Sequence, residues 1–167
     1  AYAYLQQEQC AAAIQVFEQM MQHLPADDGT LMYLAAMYTQ QQNHRQAIRL
    51  YNQLEQRQGI TPDIIAQKQY NYLQMRRPSE AIAEGMKLVE AYPHVETHVT
   101  HLADLLQEHE RPTQAIDYLT AVLDSHPTHA QVRLRLAHLL LDQHYWASAL
   151  PHVQQSLADA QLTLESK

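Results

Sequence analysis

At 167 residues, 46% hydrophobic and 17% charged, the chain is long enough for a real core and too apolar for disorder. A net charge of -7, with no segment dense in Lys or Arg, leaves no basic footprint to replace phosphate counterions and argues against nucleic acid as a partner. Three glycines are few for the turns of a hairpin-rich sheet, and the longest aliphatic run, Leu139 to Leu141, is far too short for a membrane span.

The dipeptide Ala-Ile stands at 13–14, 47–48, 81–82 and 115–116, and Ala149-Leu150 follows, each 34 residues after the last. Twelve residues after these alanines come Pro25, Gly59, Pro93, Pro127 and Gln161; twelve before them stand Ala1, Ala35, Gln69, Ala103 and Ala137. Each period holds two apolar-periodic stretches long enough for a helix of three to four turns. A helix pair of that size buries both its faces only when neighbouring pairs stack on it, with small residues at the crossings to let the axes approach.

In chain order, the first period (1–27) is truncated, keeping Ala1, Tyr4, Ala13, Phe17 and Pro25. Its Cys10 has no partner for a disulfide and reads as a structural thiol. In the second period (28–61), Leu31, Leu34, Ala35 and Tyr38 share one helical face. After the polar break 41–44, Ala47, Ile48, Tyr51 and Leu54 form a second face. Gly59 is placed to stop that helix, Thr61 to cap the next, and Pro62 and Asp63 suit its first turn.

The third period (62–95) departs from the pattern. Lys68 and Gln69 stand where a leucine and a small residue are expected, and Gly85 replaces a bulky residue, so loose packing or a shift of register is expected here. Pro78 and Pro112 open the second helices of the third and fourth periods. In the fourth (96–129), Pro93 puts His94 and Val95 in the preceding turn, with a helix starting near Glu96 or Thr97 and capped by one of them. The fifth (130–161) carries Leu136-Ala137, Leu140 and Ala149, and Leu162 to Lys167 form a tail outside the repeat.

Leu31, Leu34-Ala35, Tyr38, Ala47 and Tyr51, with Leu102-Ala103, Leu106, Ala115, Leu119 and Pro127, resemble the 34-residue signature of the tetratricopeptide repeat family. The resemblance covers nearly the whole chain. It implies an all-α fold, a right-handed α-α superhelix of antiparallel helix pairs forming one array over 1–167. The family often has glycine in the turn between paired helices; Glu8, Gln42, Arg76, Glu110 and His144 occupy that place here. The stretch GITPDIIAQKQYNYLQM also looks like bacterial repeat proteins of Bacteroidetes, in which such repeats are one part of a longer chain.

His94, His98 and His101, in the stretch HVETHVTH, would share a face only on one unbroken helix. With His94 in a turn, the remaining pair reads as surface histidine, and no metal or cofactor is expected. No nucleophile–base arrangement, phosphate loop or zinc-protease spacing occurs, so the reading is of a protein that is not an enzyme.

The family resemblance implies a function carried by the first helix of each pair, lining a concave groove that holds a peptide or protein partner. The residues expected in that groove are Met32, Tyr33, Ala36, Gln67, Tyr70, Leu73, His101, Asp104, Arg135, His138 and Leu141. The family's lysine-asparagine-arginine clamp for a terminal carboxylate is missing, since its slots hold Met32, Ala36, Ala66, Tyr70 and Thr100. A non-catalytic scaffold is the first reading. The second is a substrate-recruiting or assembly arm of a larger multidomain enzyme or envelope-assembly protein. Membrane insertion is not expected, cytoplasm and periplasm both stay open, and the truncated first period points either to self-association or to residues upstream.

Overall fold

In a computed structural model, which describes residues 12–19 and 27–165 (side chains to 158), helices recur on a fixed spacing. After the helical residues 12–19 (α1) come α2 Asp28–Gln40, α3 His44–Gln58, α4 Pro62–Gln74, α5 Pro78–Ala91, α6 Glu96–Glu108, α7 Pro112–Ser125, α8 Ala130–Asp142 and α9 Trp146–Glu165. The first helices of the pairs (α2, α4, α6, α8) start 34 residues apart, and so do the second helices. The described residues contain no strand. Among them, no helix is long and apolar enough to cross a membrane. Ala1, Tyr4, Glu8, Cys10 and Pro25, with the side chain of Gln161, lie outside the described residues. The segment from Leu162 onward is no separate element, because α9 carries on through it to Glu165.

The turn inside each pair is the same structure four times. Gln42, Arg76, Glu110 and His144 all adopt positive φ, between 56° and 63°. Around each, two backbone bonds close the helix end. Asn43 N–H donates to Tyr38 O (2.8 Å) and Gln42 N–H to Thr39 O (3.0 Å). The counterparts are Arg77 to Tyr72 and Arg76 to Leu73, Arg111 to Leu106 and Glu110 to Gln107, Tyr145 to Leu140 and His144 to Leu141. These bonds satisfy carbonyls that every helix end leaves orphaned, and the left-handed residue makes them possible. No glycine supplies it here.

Local chemistry sets the other ends. The Asp27 side chain accepts from Thr30 N–H at 2.7 Å and caps α2; that bond holds its carboxyl below the usual value. Thr61 caps α4, accepting from Ile64 N–H at 3.4 Å, with Pro62 in the first turn. Gly59 ends α3 at φ 81°, ψ −170°, a region open essentially to glycine alone. The cap of α6 is Val95, with no side-chain bond, and neither Glu96 nor Thr97 fills that role. A turn bond from Val95 N–H to Tyr92 O (3.1 Å) sets the entry instead.

The chain divides between Leu88 and Val89 into two compact units. In the first, α2 and α3, joined by three residues, pack antiparallel, and α4 lies against α3. Leu31, Leu34, Tyr51 and Leu54 are sealed in its core, and Ile14, Phe17 and Met32 close one end. In the second unit, α6 pairs with α7 and α8 with α9, while α8 packs on both α7 and α6. Val99, Leu102, Leu119, Val132, Leu136 and Leu139 form its interior. Ala47, Ala81, Ala115 and Ala149 occupy the same fourth position of α3, α5, α7 and α9, and each is fully buried. A larger side chain there would force the paired helices apart.

The third period does not slip. Its helices keep the 34-residue spacing, and the odd residues are buried in place: Lys68 where Leu34, Leu102 and Leu136 stand, Gln69 where the others have alanine. Compensation explains the retained register. Lys68 Nζ pairs with Glu55 and, at 2.7 Å, with Glu84; Lys87 reaches Glu84 at 3.1 Å and Glu55 at 3.4 Å. Gln69 Nε2 donates to Ala81 O at 3.1 Å, using the carbonyl of the small residue it faces. Buried polar groups paired in this way do not force the chain to another register.

Candidate protein-binding surface

Each first helix leaves three residues of one stripe in solvent at positions i, i+3 and i+7. They are Tyr33, Ala36 and Gln40 on α2, and Gln67, Tyr70 and Gln74 on α4. On α6 they are His101, Asp104 and Glu108, and on α8 Arg135, His138 and Asp142, with Asp104 and Arg135 partly covered. The residues between them, such as Leu34-Ala35 and Leu102-Ala103, face the core, so the stripe is the outward face left by packing.

In the first unit the stripes of α2 and α4 border an open depression of about 430 Å³. It is lined by Ala36, Thr39, Gln40, Gln42, His44, Gln67, Tyr70 and Gln74. None of these is an Asp, Glu, Lys or Arg. Beneath it lies Asn71, fully buried. Its Nδ2 donates to Gln67 O (2.7 Å) and to Thr39 Oγ1 (3.0 Å), and its Oδ1 lies 2.9 Å from His44 Nδ1. A carbonyl only accepts, so the bond to Gln67 O fixes which end of the Asn71 amide is nitrogen. His44 Nδ1 must then carry the proton, which orients the ring at the rim. Tyr51 Oη approaches Gln67 Oε1 at 3.4 Å. Tyr33 is 68% exposed and Tyr70 50%, so both rings are open to a partner. Phe17 packs near Tyr33 with ring centroids 6.4 Å apart.

The second unit presents different chemistry on the same stripe. Arg135 donates to Asp104 Oδ1 and Gln107 Oε1, each at 2.5 Å, and to His138 Nδ1 at 3.2 Å. Since guanidinium only donates, His138 Nδ1 is the acceptor in that contact, and Asp142 Oδ2 lies 3.9 Å from the same nitrogen. Gln107 Nε2 reaches Asp142 at 3.3 Å. The charge of Arg135 is spent inside the network, which leaves the α6 and α8 face self-satisfied.

Of the sequence-predicted groove residues, the structure brings Ala36, Gln67 and Tyr70 together in the depression, with Tyr33 on the same α2 stripe. Met32 and Leu73 are half-buried, Met32 against the core. Asp104, Arg135 and His138 meet in the second unit, His101 is exposed nearby on α6, and Leu141 is half-buried. Sequence reasoning missed Gln40, Gln42, His44 and Gln74. Advancing one helical turn from Ala36 and Tyr70 would have found the two glutamines on the helices.

The His94, His98 and His101 run does not converge. His94 lies before α6, edge-on to His126 at 5.5 Å, and His98 lies against Tyr92 at 6.0 Å. Among the described residues, no group of three or more His, Cys, Asp or Glu is placed to hold a metal ion.

A sequence profile described as Tetratricopeptide repeat matches residues 4–59 and 105–165. The interval it omits contains Lys68, Gln69 and Gly85. No curated protein matches the chain. Among solved structures, a MamA protein is 11% identical with a TM-score of 0.60, covering 95% of this chain and 86% of its own. MamA from Desulfovibrio magneticus RS-1 is 13% identical with a TM-score of 0.53, covering 92% and 87%. A tetratricopeptide repeat protein from Parabacteroides merdae ATCC 43184 is 13% identical with a TM-score of 0.59, covering 96% of this chain and 64% of its own. At these identities the likeness is one of fold.

Proposed function

The chain belongs to the tetratricopeptide repeat family, and on that premise we propose that it is a non-catalytic scaffold holding a peptide or protein segment against the exposed stripes of its first helices. The observation that carries this reading is the uncharged, amide-rich depression of the first unit. Each glutamine side chain both donates and accepts, as a peptide group does, so the rim complements the main chain of an extended segment. Tyr33 and Tyr70 add broad, rigid ring faces that lose little conformational entropy on binding. The occupant is a segment with a neutral contact region. Arg135, held by Asp104, Gln107 and His138, plays a secondary part.

The test is quantitative binding of a partner recovered by photo-crosslinking from a probe at Gln74, with a probe at Arg49 on α3 as control. Tyr33→Ala with Tyr70→Ala is expected to weaken binding at least about tenfold, since central aromatics dominate interface energies. His138→Ala is expected to change it little. Raising salt from about 50 to 500 mM should alter affinity less than about twofold, because no charge lines the contact. Unchanged binding in the tyrosine variant would remove the reading.

A further inference from the structure

In the second unit, α9 differs from its repeat counterparts along one stripe. Trp146, Leu150, Val153 and Leu157 stand at i, i+4, i+7 and i+11, which puts them on one helical face. Trp146 is 61% exposed, Leu150 56% and Leu157 61%, with Val153 half-buried among them. One period earlier, Leu150, Val153 and Leu157 become Ile116, Leu119 and Leu123 of α7. Three periods earlier, Leu150 and Val153 become Ile48 and Tyr51 of α3. Those residues are covered: Ile116 is half-buried and the other four are buried, in helices against which α8 and α4 lie. On α9 the same positions keep the apolar character of an interior, yet they face solvent.

The stripe itself says what suits it. Its spacing reads the same in both directions, four, three and four. A second copy laid antiparallel across a two-fold axis therefore sets Trp146 against the partner's Leu157 and Leu150 against the partner's Val153. No Asp, Glu, Lys or Arg occurs from Trp146 to Ala158, so two chains of net charge -7 can meet here without like charges at the contact. Trp146 leans on His144 with ring centroids 5.6 Å apart, and such a supported indole is an anchor of the kind that dominates interfaces. The exposed part of the stripe amounts to roughly 300–400 Å² per copy, so a pair buries about half of the roughly 1,200–2,000 Å² that a stable interface needs. That area fits a weak, reversible dimer.

We infer that α9 is a self-association surface, its stripe of Trp146, Leu150, Val153 and Leu157 packing antiparallel on the same stripe of a second copy. Burial of the ring and the leucines drives the contact. An isologous contact uses one patch on both chains and closes at two copies, leaving no free end to grow from. The inference is independent of the glutamine-lined depression, which lies in the other unit, and its test reads assembly rather than partner binding.

The test is sedimentation of the whole chain over a concentration series. A reversible monomer–dimer equilibrium is expected, with a midpoint of roughly 50–500 µM for so small a contact. Leu157→Glu and Trp146→Lys should each weaken it at least about tenfold by putting a charge into the apolar contact. Both side chains are exposed, so neither change should move the denaturation midpoint. Mixing the two variants in equal amounts tests the antiparallel register. In the mixed pair the introduced lysine faces the introduced glutamate, while Trp146 of one chain keeps the partner's Leu157. The mixture should therefore dimerise several-fold more tightly than either variant alone. A wild-type chain that stays monomeric at about 1 mM, well above that midpoint, would overturn the inference. So would a dimer that survives Leu157→Glu, assembly that grows past two copies, or a mixture no tighter than its components.

Discussion

Lys68 Nζ sits 2.7 Å from the Glu84 carboxylate, and both side chains are nearly sealed from solvent, at 1% and 8% exposure. Leu34, Leu102 and Leu136 fill the corresponding core place elsewhere. Removing one partner of such a pair strands the other, which typically costs about 3–5 kcal/mol, whereas apolar replacement of both is often neutral or stabilising. Lys68→Leu is therefore expected to lose about 3–5 kcal/mol in chemical denaturation, and Lys68→Leu with Glu84→Leu to return to within about 1 kcal/mol of the parent. Glu55 keeps Lys87 at 3.4 Å in the double variant. If the double variant were as unstable as the single, the charges would be giving more than compensation.

Four non-glycine residues hold left-handed turns, at Gln42, Arg76, Glu110 and His144. An L side chain in that conformation costs roughly 1–2 kcal/mol, part of which glycine gives back through its freer unfolded state. Each change to glycine is expected to raise stability by about 0.5–1 kcal/mol, read as a higher denaturation midpoint. Gly59 is the reverse case. A Cβ there meets nothing within 4 Å, so only the backbone at φ 81°, ψ −170° resists alanine. Gly59→Ala should cost about 1–3 kcal/mol; a neutral outcome would mean the α3–α4 turn relaxes to another path.

The helices were legible because their signals are local. Pro62, Pro78 and Pro112 open helices, Thr61 caps one, and the buried alanines recur at one helical position. What failed depended on partners distant in sequence. Lys68 looked like a break in the pattern because Glu55 and Glu84, 13 and 16 residues away, do not show in a helical period. Likewise, missing turn glycines looked like a departure, although the same left-handed turn forms without them. The candidate surface was legible as a stripe but not as a depression: His44 joins it only through Asn71, a buried amide that no outward-face reading selects. The cleft lined by Val89, Pro93, Val99, Ala121 and Val122 was invisible, since its walls come from α5, α6 and α7 and the turn before α6.

Acid should act in two stages. Burial holds His98 below the ordinary histidine value of 6.5, helped by His101, and holds His152 below it as well, helped by Arg133. The folded chain then binds fewer protons than the unfolded one just below that value. Stability from these two groups is complete above about pH 6.5 and is lost as pH falls through it. Glu55 titrates lower. Burial alone would raise it, but Lys68 and Lys87 more than offset this and bring it below 4.5. Asp28, bonded to Gln58 and Arg57, is also lowered. That contribution persists to about pH 4 and goes only below it. Denaturation midpoints at about pH 7.5, 5.5 and 3.5 should fall twice, and His98→Gln with His152→Gln should flatten the first step. Equal wild-type midpoints at the two higher pH values would contradict the assignment.

Around the depression of the first unit, residues that build it are distinct from residues that stand exposed at its edge. Tyr33 and Tyr70 are exposed, so Tyr33→Ser or Tyr70→Ser should shift stability by no more than about 0.5 kcal/mol. Asn71 is fully buried and bonds Gln67, Thr39 and His44. Asn71→Ala would leave those groups facing apolar space and should cost about 1–3 kcal/mol. Asn71→Asp keeps the oxygen that His44 meets but replaces the Nδ2 donor with a carboxylate beside the Gln67 carbonyl, and is expected to be at least as damaging at pH 7. Lowering the pH toward 4 should recover part of that loss as the carboxyl takes up a proton and can donate again. A pH-independent defect in Asn71→Asp would show that shape, and not the donor to Gln67, is what the buried amide supplies.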